Sequence, residues 1–173
     1  MKFSYIFPVS LGFTDGIITA LMISSYLILN DLHMAISLAF RISTGSAAVG
    51  TFSYFIASFA SNRAELSRIS KHLNPSRPTG KISGTLLNEV YRDSMTGTVV
   101  SGACSFLGSM IPLGAYSISS SSIIVLIVTE VSLSILGYSL SRSLKGRSVP
   151  WIAGMFTFGV AVILIGLYVR IIV

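Results

Sequence analysis

Five long apolar runs, at about residues 5–29, 34–60, 95–116, 120–141 and 150–173, take up most of this 173-residue chain. Each reaches the ~20 residues that a helix needs to cross ~30 Å of hydrocarbon. In that solvent every backbone N–H and C=O must find its partner inside the protein, so runs of this length commit to helices. Composition agrees, since 52% of residues are hydrophobic and 10% charged, against about 25% charged in a soluble domain. The expectation is an all-α, polytopic integral membrane protein with five transmembrane helices, forming one membrane domain over 1–173. Lys2 is a weak basic flank, Pro8 and Asp15 interrupt the first run, and no small-residue cleavage pattern follows. The first run therefore reads as a retained helix rather than a signal peptide.

A formal net charge of +6 invites a nucleic-acid reading until the charges are placed. Arg63, Arg68, Lys71, Arg77, Lys81 and Arg92 fall between the second and third runs, and Arg142, Lys145 and Arg147 between the fourth and fifth. The connection from Ser117 to Ser122 carries no charge. By the positive-inside rule both basic loops face the cytoplasm, with the N-terminus beside Lys2 on that side and the C-terminus opposite. The excess is thus a topology signal and a contact for anionic headgroups, with no nucleic-acid partner implied. The polar stretch 61–94 reads as a basic cytoplasmic helical loop: one helix over Asn62 to Leu73, a break at 74–80, and a second helix from about Thr85 to Asp93.

Within the first run sits Asp15, in Gly12-Phe13-Thr14-Asp15-Gly16-Ile17-Ile18-Thr19. An ionised side chain at that depth costs at least ~2.5–3.5 kcal/mol by insertion scales, so it is paired, protonated or handling an ion. Asp15, Thr19, Met22 and Tyr26 recur at helical spacing and share a face. Ile17, Leu21 and Ile28 make an aliphatic face that suits lipid, and Gly12 and Gly16 allow another backbone or an ion to come close. A hard oxygen beside the soft Met22 sulfur suits a borderline divalent metal such as Fe²⁺.

Glu130, midway along the fourth run, is the other carboxylate at membrane depth, and Arg41 is the cation of the second run. Arg41 lies about 12 Å from the outer end at 1.5 Å per residue, where it either snorkels outward or pairs inward, with Glu130 the better-placed partner. Gly97, Ser101, Ser105 and Ser109 form a four-residue stripe for close helix contact, within or between subunits. Pro112 is expected to kink or end the third span, and Cys104 to pack as an apolar thiol. No Cys/His cluster, phosphate-cradling glycine loop or nucleophile–base pair is present, so no enzyme activity and no bound cofactor are expected.

The first-helix Asp15-Gly16 element, the small-residue second run leading into Ala64-Glu65-Leu66, and Phe106-Leu107-Gly108-Ser109-Met110-Ile111-Pro112-Leu113 together resemble the vacuolar iron transporter family. The resemblance implies a homodimer of five-helix subunits that moves Fe²⁺ or Mn²⁺ out of the cytoplasm in exchange for protons. Asp15 would line the path and bind the metal, with Gly16, Thr19 and Met22 beside it and Glu130 a coupling site or the partner of Arg41. It also implies a plasma membrane in a prokaryote or a vacuole-type membrane in a eukaryote. The chain departs from the family in the second helix, where Ala47 and Thr51 stand at the positions of a Met and a Glu. A non-transporting membrane scaffold of the same fold is the competing expectation.

Overall fold

The computed structural model describes residues 6–29, 32–73, 84–119, 121–143 and 147–172. Lys2, the Asn30-Asp31 turn, the break at 74–80, Lys81 and Lys145 lie outside the described residues, as do the side chains of Lys71 and Arg170. Five helices account for the described chain: α1 (Ile6–Leu29), α2 (Ile36–Leu73), α3 (Gly84–Ile118), α4 (Ser122–Ser143) and α5 (Ser148–Ile172). Four of them, α1, α3, α4 and α5, are long and apolar enough to cross a membrane. α2 is the longest at 38 residues. Arg41 and the run of Ser, Thr and Gly from Ser43 to Ser53 leave its second-span stretch less apolar than the other four.

α1 touches all four other helices, α3 packs along both α1 and α2, and α4 pairs with α5. The α1–α3 contact is backbone against backbone. A Cβ added at Gly12 would overlap the Ser101 carbonyl, and one at Gly16 the Ser105 carbonyl. From the other side, a Cβ at Gly108 would lie 2.6 Å from the Phe13 carbonyl oxygen. The four-residue stripe on α3 is therefore an intrachain seam, where small residues let two helices approach without a hydrophobic drive. Gly97 extends the seam to α2, beneath the Tyr54 ring.

This seam fixes the rotation of α1 and reverses one expectation. Ile17 and Leu21, assigned to lipid from the sequence, are fully buried. They follow Gly16 and Ala20, so turning the glycines onto α3 carries them into the bundle as well. Ile17 joins Leu133 and Leu136 in one apolar cluster, with Phe13, Leu140 and Met155 around it. A second cluster of Ala20, Met34, Ala39, Leu113, Tyr116 and Val125 ties the far end of α1 to α2, α3 and α4. There the Tyr116 hydroxyl donates to the Leu32 carbonyl at 2.6 Å.

The interior is otherwise small and hydroxylated: Ser24, Ser43, Ser46, Ser94, Thr98, Ser101, Ser105, Ser109 and Thr129 are buried. Phe7, Phe52, Ile118, Ile127, Ile135 and Val149 stand exposed. Large apolar groups outside and small polar ones inside invert the soluble pattern and suit a lipid solvent.

Of the two outcomes expected at Pro112, a kink or an end, the end does not occur, and α3 continues to Ile118. Proline removes one backbone donor and crowds the preceding turn, yet Pro112 and Leu113 are fully buried, and that packing holds the last turns helical. The two polar helices of 61–94 are present, each as part of a longer helix. The first is the end of α2 and the second the beginning of α3. Their ends are pinned where Asn62 Nδ2 donates to Ser94 Oγ at 3.3 Å.

The seam makes a sharp contrast testable. Gly16→Ala forces backbone apart and is expected to cost about 1–3 kcal/mol, lowering the detergent-solubilised melting temperature. Gly45→Ala, whose Cβ meets nothing within 4 Å, should leave it unchanged or raised.

Candidate functional site

Turning Gly12 and Gly16 toward α3 turns Asp15 away from it. The Asp15 side chain is exposed and opens sideways into a cleft between α1 and α2. The cleft, of about 300 Å³, is lined by Leu11, Thr14, Asp15 and Ile18 of α1, Gly50 and Ser53 of α2, and Ser101 of α3. Gly50 makes the room. A Cβ there would lie 2.8 Å from Asp15 Oδ2 and 3.1 Å from Ser105 Oγ. Carboxylate and hydroxyl thus flank the same point beside the α2 backbone.

Many hydroxyls among the described residues are spent locally, donating to the carbonyl three or four residues back, which is how Ser and Thr are tolerated in apolar helices. Ser10, Thr44, Thr51, Thr98, Thr129, Ser132 and Thr157 all do so at 2.6–2.8 Å. Ser101 does not. It is 1% exposed, its Oγ has no hydrogen-bond partner, and it lines the cleft that holds Asp15. Ser105 Oγ is weakly held, 3.4 Å from Ser46 Oγ and from the Ser46 carbonyl. A buried hydroxyl without a partner costs about 1–3 kcal/mol, and Ser43 Oγ is a second one, outside the cleft lining.

The other sequence-derived candidates are dispersed. Gly16 is a packing residue, closed off by the Ser105 carbonyl. Thr19 is half-buried and Met22 exposed on the same side of α1, but neither lines the cleft. Its described donors are therefore all oxygens. Among the described residues no cluster of three or more His, Cys, Asp or Glu could hold a metal. Thr14, Gly50, Ser53 and Ser101 were not singled out as site residues from the sequence. The four-residue serine spacing located Ser101, but only the packed helices show that this seam also floors a cleft.

Glu130 stands apart, on the α4–α5 contact. A Cβ at Gly159 would lie 2.5 Å from Glu130 Oε1 and 2.8 Å from Oε2, so glycine is what admits the carboxyl group. Both oxygens are buried with no hydrogen-bond partner. The expected ion pair with Arg41 does not form, because Arg41 is exposed on α2 and α2 makes no contact with α4. Thr51 is also accounted for. It donates to the Ala47 carbonyl at 2.6 Å and packs onto Gly102 of α3, so its hydroxyl is engaged away from the carboxylates. Cys104 is a free, half-buried thiol.

No family model, no curated protein and no solved structure matches this chain.

The isolation of Glu130 has a direct consequence. With no donor to lose, Glu130→Gln is expected to leave thermal stability in detergent within about 1 kcal/mol of the parent chain, whereas removing one partner of a buried ion pair costs about 3–5 kcal/mol. A loss of the larger size would reveal a partner for the carboxylate.

Proposed function

We propose that this chain is a membrane carrier that passes a cation along α1 and α2 by way of Asp15. One observation carries the reading: a carboxylate within an apolar helix opens into a cleft between α1 and α2 that is also lined by Thr14, Ser53 and Ser101. Facing hydrocarbon, that carboxylate would incur the insertion cost already noted; facing an ion or water it does not. The resemblance to the vacuolar iron transporter family supports a divalent cargo, Fe²⁺ or Mn²⁺, leaving the cytoplasm in exchange for protons. Glu130, a second carboxyl group in a separate helix contact, is the candidate coupling site.

In this reading α2 is the fifth span. It is long enough, it packs along α1 and α3, and its exposed Phe40, Phe52 and Ile56 suit lipid or a second subunit. The basic residues between α2 and α3 and between α4 and α5 support an N-terminus in the cytoplasm and a C-terminus opposite. A homodimer that closes over the Asp15 face would shield the carboxylate from lipid, since Met22 and Tyr26 lie exposed on that same side.

A scaffold that keeps the fold without transport is favoured by one observation. Ala47 and Thr51, at the positions of the family's second-helix Met and Glu, offer no sulfur or carboxylate. Proteoliposomes separate the two readings. The carrier should move Fe²⁺ or Mn²⁺ toward the more acidic side of an imposed proton gradient, and Asp15→Asn should abolish that flux while the variant elutes as the parent does. Flux that survives Asp15→Asn would falsify the proposed path, and a parent chain that moves no cation supports the scaffold.

A further inference from the structure

A second recess lies on the other side of α1, a groove of about 410 Å³ against α4. Ile6, Val9 and Phe13 line it from α1, and Ile135 and Leu136 from α4. Asp15 follows Ile6 by about two and a half turns, so the groove and the Asp15 cleft face nearly opposite sides of the helix. We infer that this groove holds an acyl chain of an anionic glycerophospholipid, whose headgroup phosphate is taken by Arg142 at the end of α4. The site depends on α1 and α4 crossing a bilayer, for which both are long and apolar enough, and not on the carrier reading.

The lining selects a hydrocarbon chain. Two of the groove's serines are spent on their own helices, Ser10 donating to the Ile6 carbonyl and Ser132 to the Val128 carbonyl, each at 2.7 Å. Their hydroxyls are satisfied, so they ask nothing of an occupant. Phe13 and Leu136 form the floor, packed into the cluster around Ile17 and Leu133. Ile6, Val9 and Ile135 stand exposed along the walls. From Ile6 to Phe13 the groove follows α1 for ~10 Å at 1.5 Å per residue, an elongated apolar slot rather than a round pocket.

The end of α4 supplies the charge. Ile135, Ser139 and Arg142 follow one another at i, i+4 and i+7 and so share a face. Ser139 lines the groove, and Arg142 lies one turn further, in the last turn of α4. Its Nε donates to the Tyr138 hydroxyl at 3.1 Å, and its guanidinium carbon stands 5.6 Å from the centre of that ring. The hydrogen bond fixes the side chain and leaves the two terminal nitrogens for a planar, bidentate acceptor, which phosphate is. The one acid in α4, Glu130, is about three turns earlier and set against Gly159 of α5, so it does not compete for the guanidinium.

Tyrosine and arginine at a helix end belong at headgroup level, where basic pockets between helices take anionic lipid heads. Free phosphate would satisfy Arg142 and leave the groove empty. A neutral apolar molecule would do the reverse. A phospholipid joins the two chemistries at the spacing the helix sets.

The test is thermal unfolding of the full chain in detergent, titrated with dioleoyl phosphatidylglycerol, dioleoyl phosphatidylcholine or sodium phosphate. Phosphatidylglycerol should raise the melting temperature saturably, as a ligand of the folded state does. Phosphatidylcholine, whose phosphate has its own cation, should need about tenfold more for half-saturation, the size of one charge-assisted contact. Inorganic phosphate should do nothing. Arg142→Gln, at an exposed position, should bring phosphatidylglycerol to the phosphatidylcholine value, whereas Arg63→Gln, which removes the same charge from exposed α2 surface, should leave the preference intact. Ile135→Trp, which fills the groove from its exposed wall, should weaken both lipids alike. Equal half-saturation by the two lipids in the parent chain, an equal effect of Arg63→Gln and Arg142→Gln, stabilisation by phosphate alone, or unchanged lipid binding in Ile135→Trp each overturns the inference.

Discussion

The backbone contact between α1 and α3 is the interaction on which the rest of this structure depends. In a lipid-like solvent there is no hydrophobic gain in joining two apolar helices, so association rests on close packing and on polar groups at the contact. Gly12 and Gly16 supply the closeness, and the serine stripe of α3 supplies a surface without bulk. α1 has no rotational freedom once those glycines are seated. Ile17 and Leu21 go inward, Met22 and Tyr26 go outward, and Asp15 is delivered to the edge of α2.

The cleft is a by-product of the same seam. α3 contributes its backbone to hold α1 and a side chain, Ser101, to floor the space beside it. α2 contributes an absence, the missing side chain of Gly50. A site made in this way is lightly charged, with one carboxylate among hydroxyl and apolar groups. It differs from sites built on clustered acids or sulfur ligands, whose affinity comes from charge count and softness.

Glu130 shows the opposite arrangement. Its carboxyl oxygens are buried between α4 and α5 against Gly159, without a hydrogen-bond donor among the described residues. The two acids are similar in sequence, each alone in a long apolar run. In the folded chain Asp15 opens to the surface and Glu130 does not, so the same residue chemistry is available to an ion at one place and enclosed at the other.

The sequence by itself determined the helical class, the membrane-like composition and the position of Asp15 as a lone carboxylate in an apolar run, because run length, charge content and charge placement are local properties. It also located the small-residue stripe of α3, since a four-residue spacing needs no partner to be seen. It could not say which partner the stripe meets, and so it assigned Ile17 and Leu21 to lipid and left Arg41 between snorkelling outward and pairing with Glu130. Only the tertiary structure decided those matters. Which face of α1 is inward follows from the neighbour its glycines fit, and whether two charges meet follows from which helices touch, here α4 with α5 and not with α2. Thr14, Gly50, Ser53 and Ser101 became a site for the same reason: they come from three helices, and nothing in their separate spacing records that the helices bring them together.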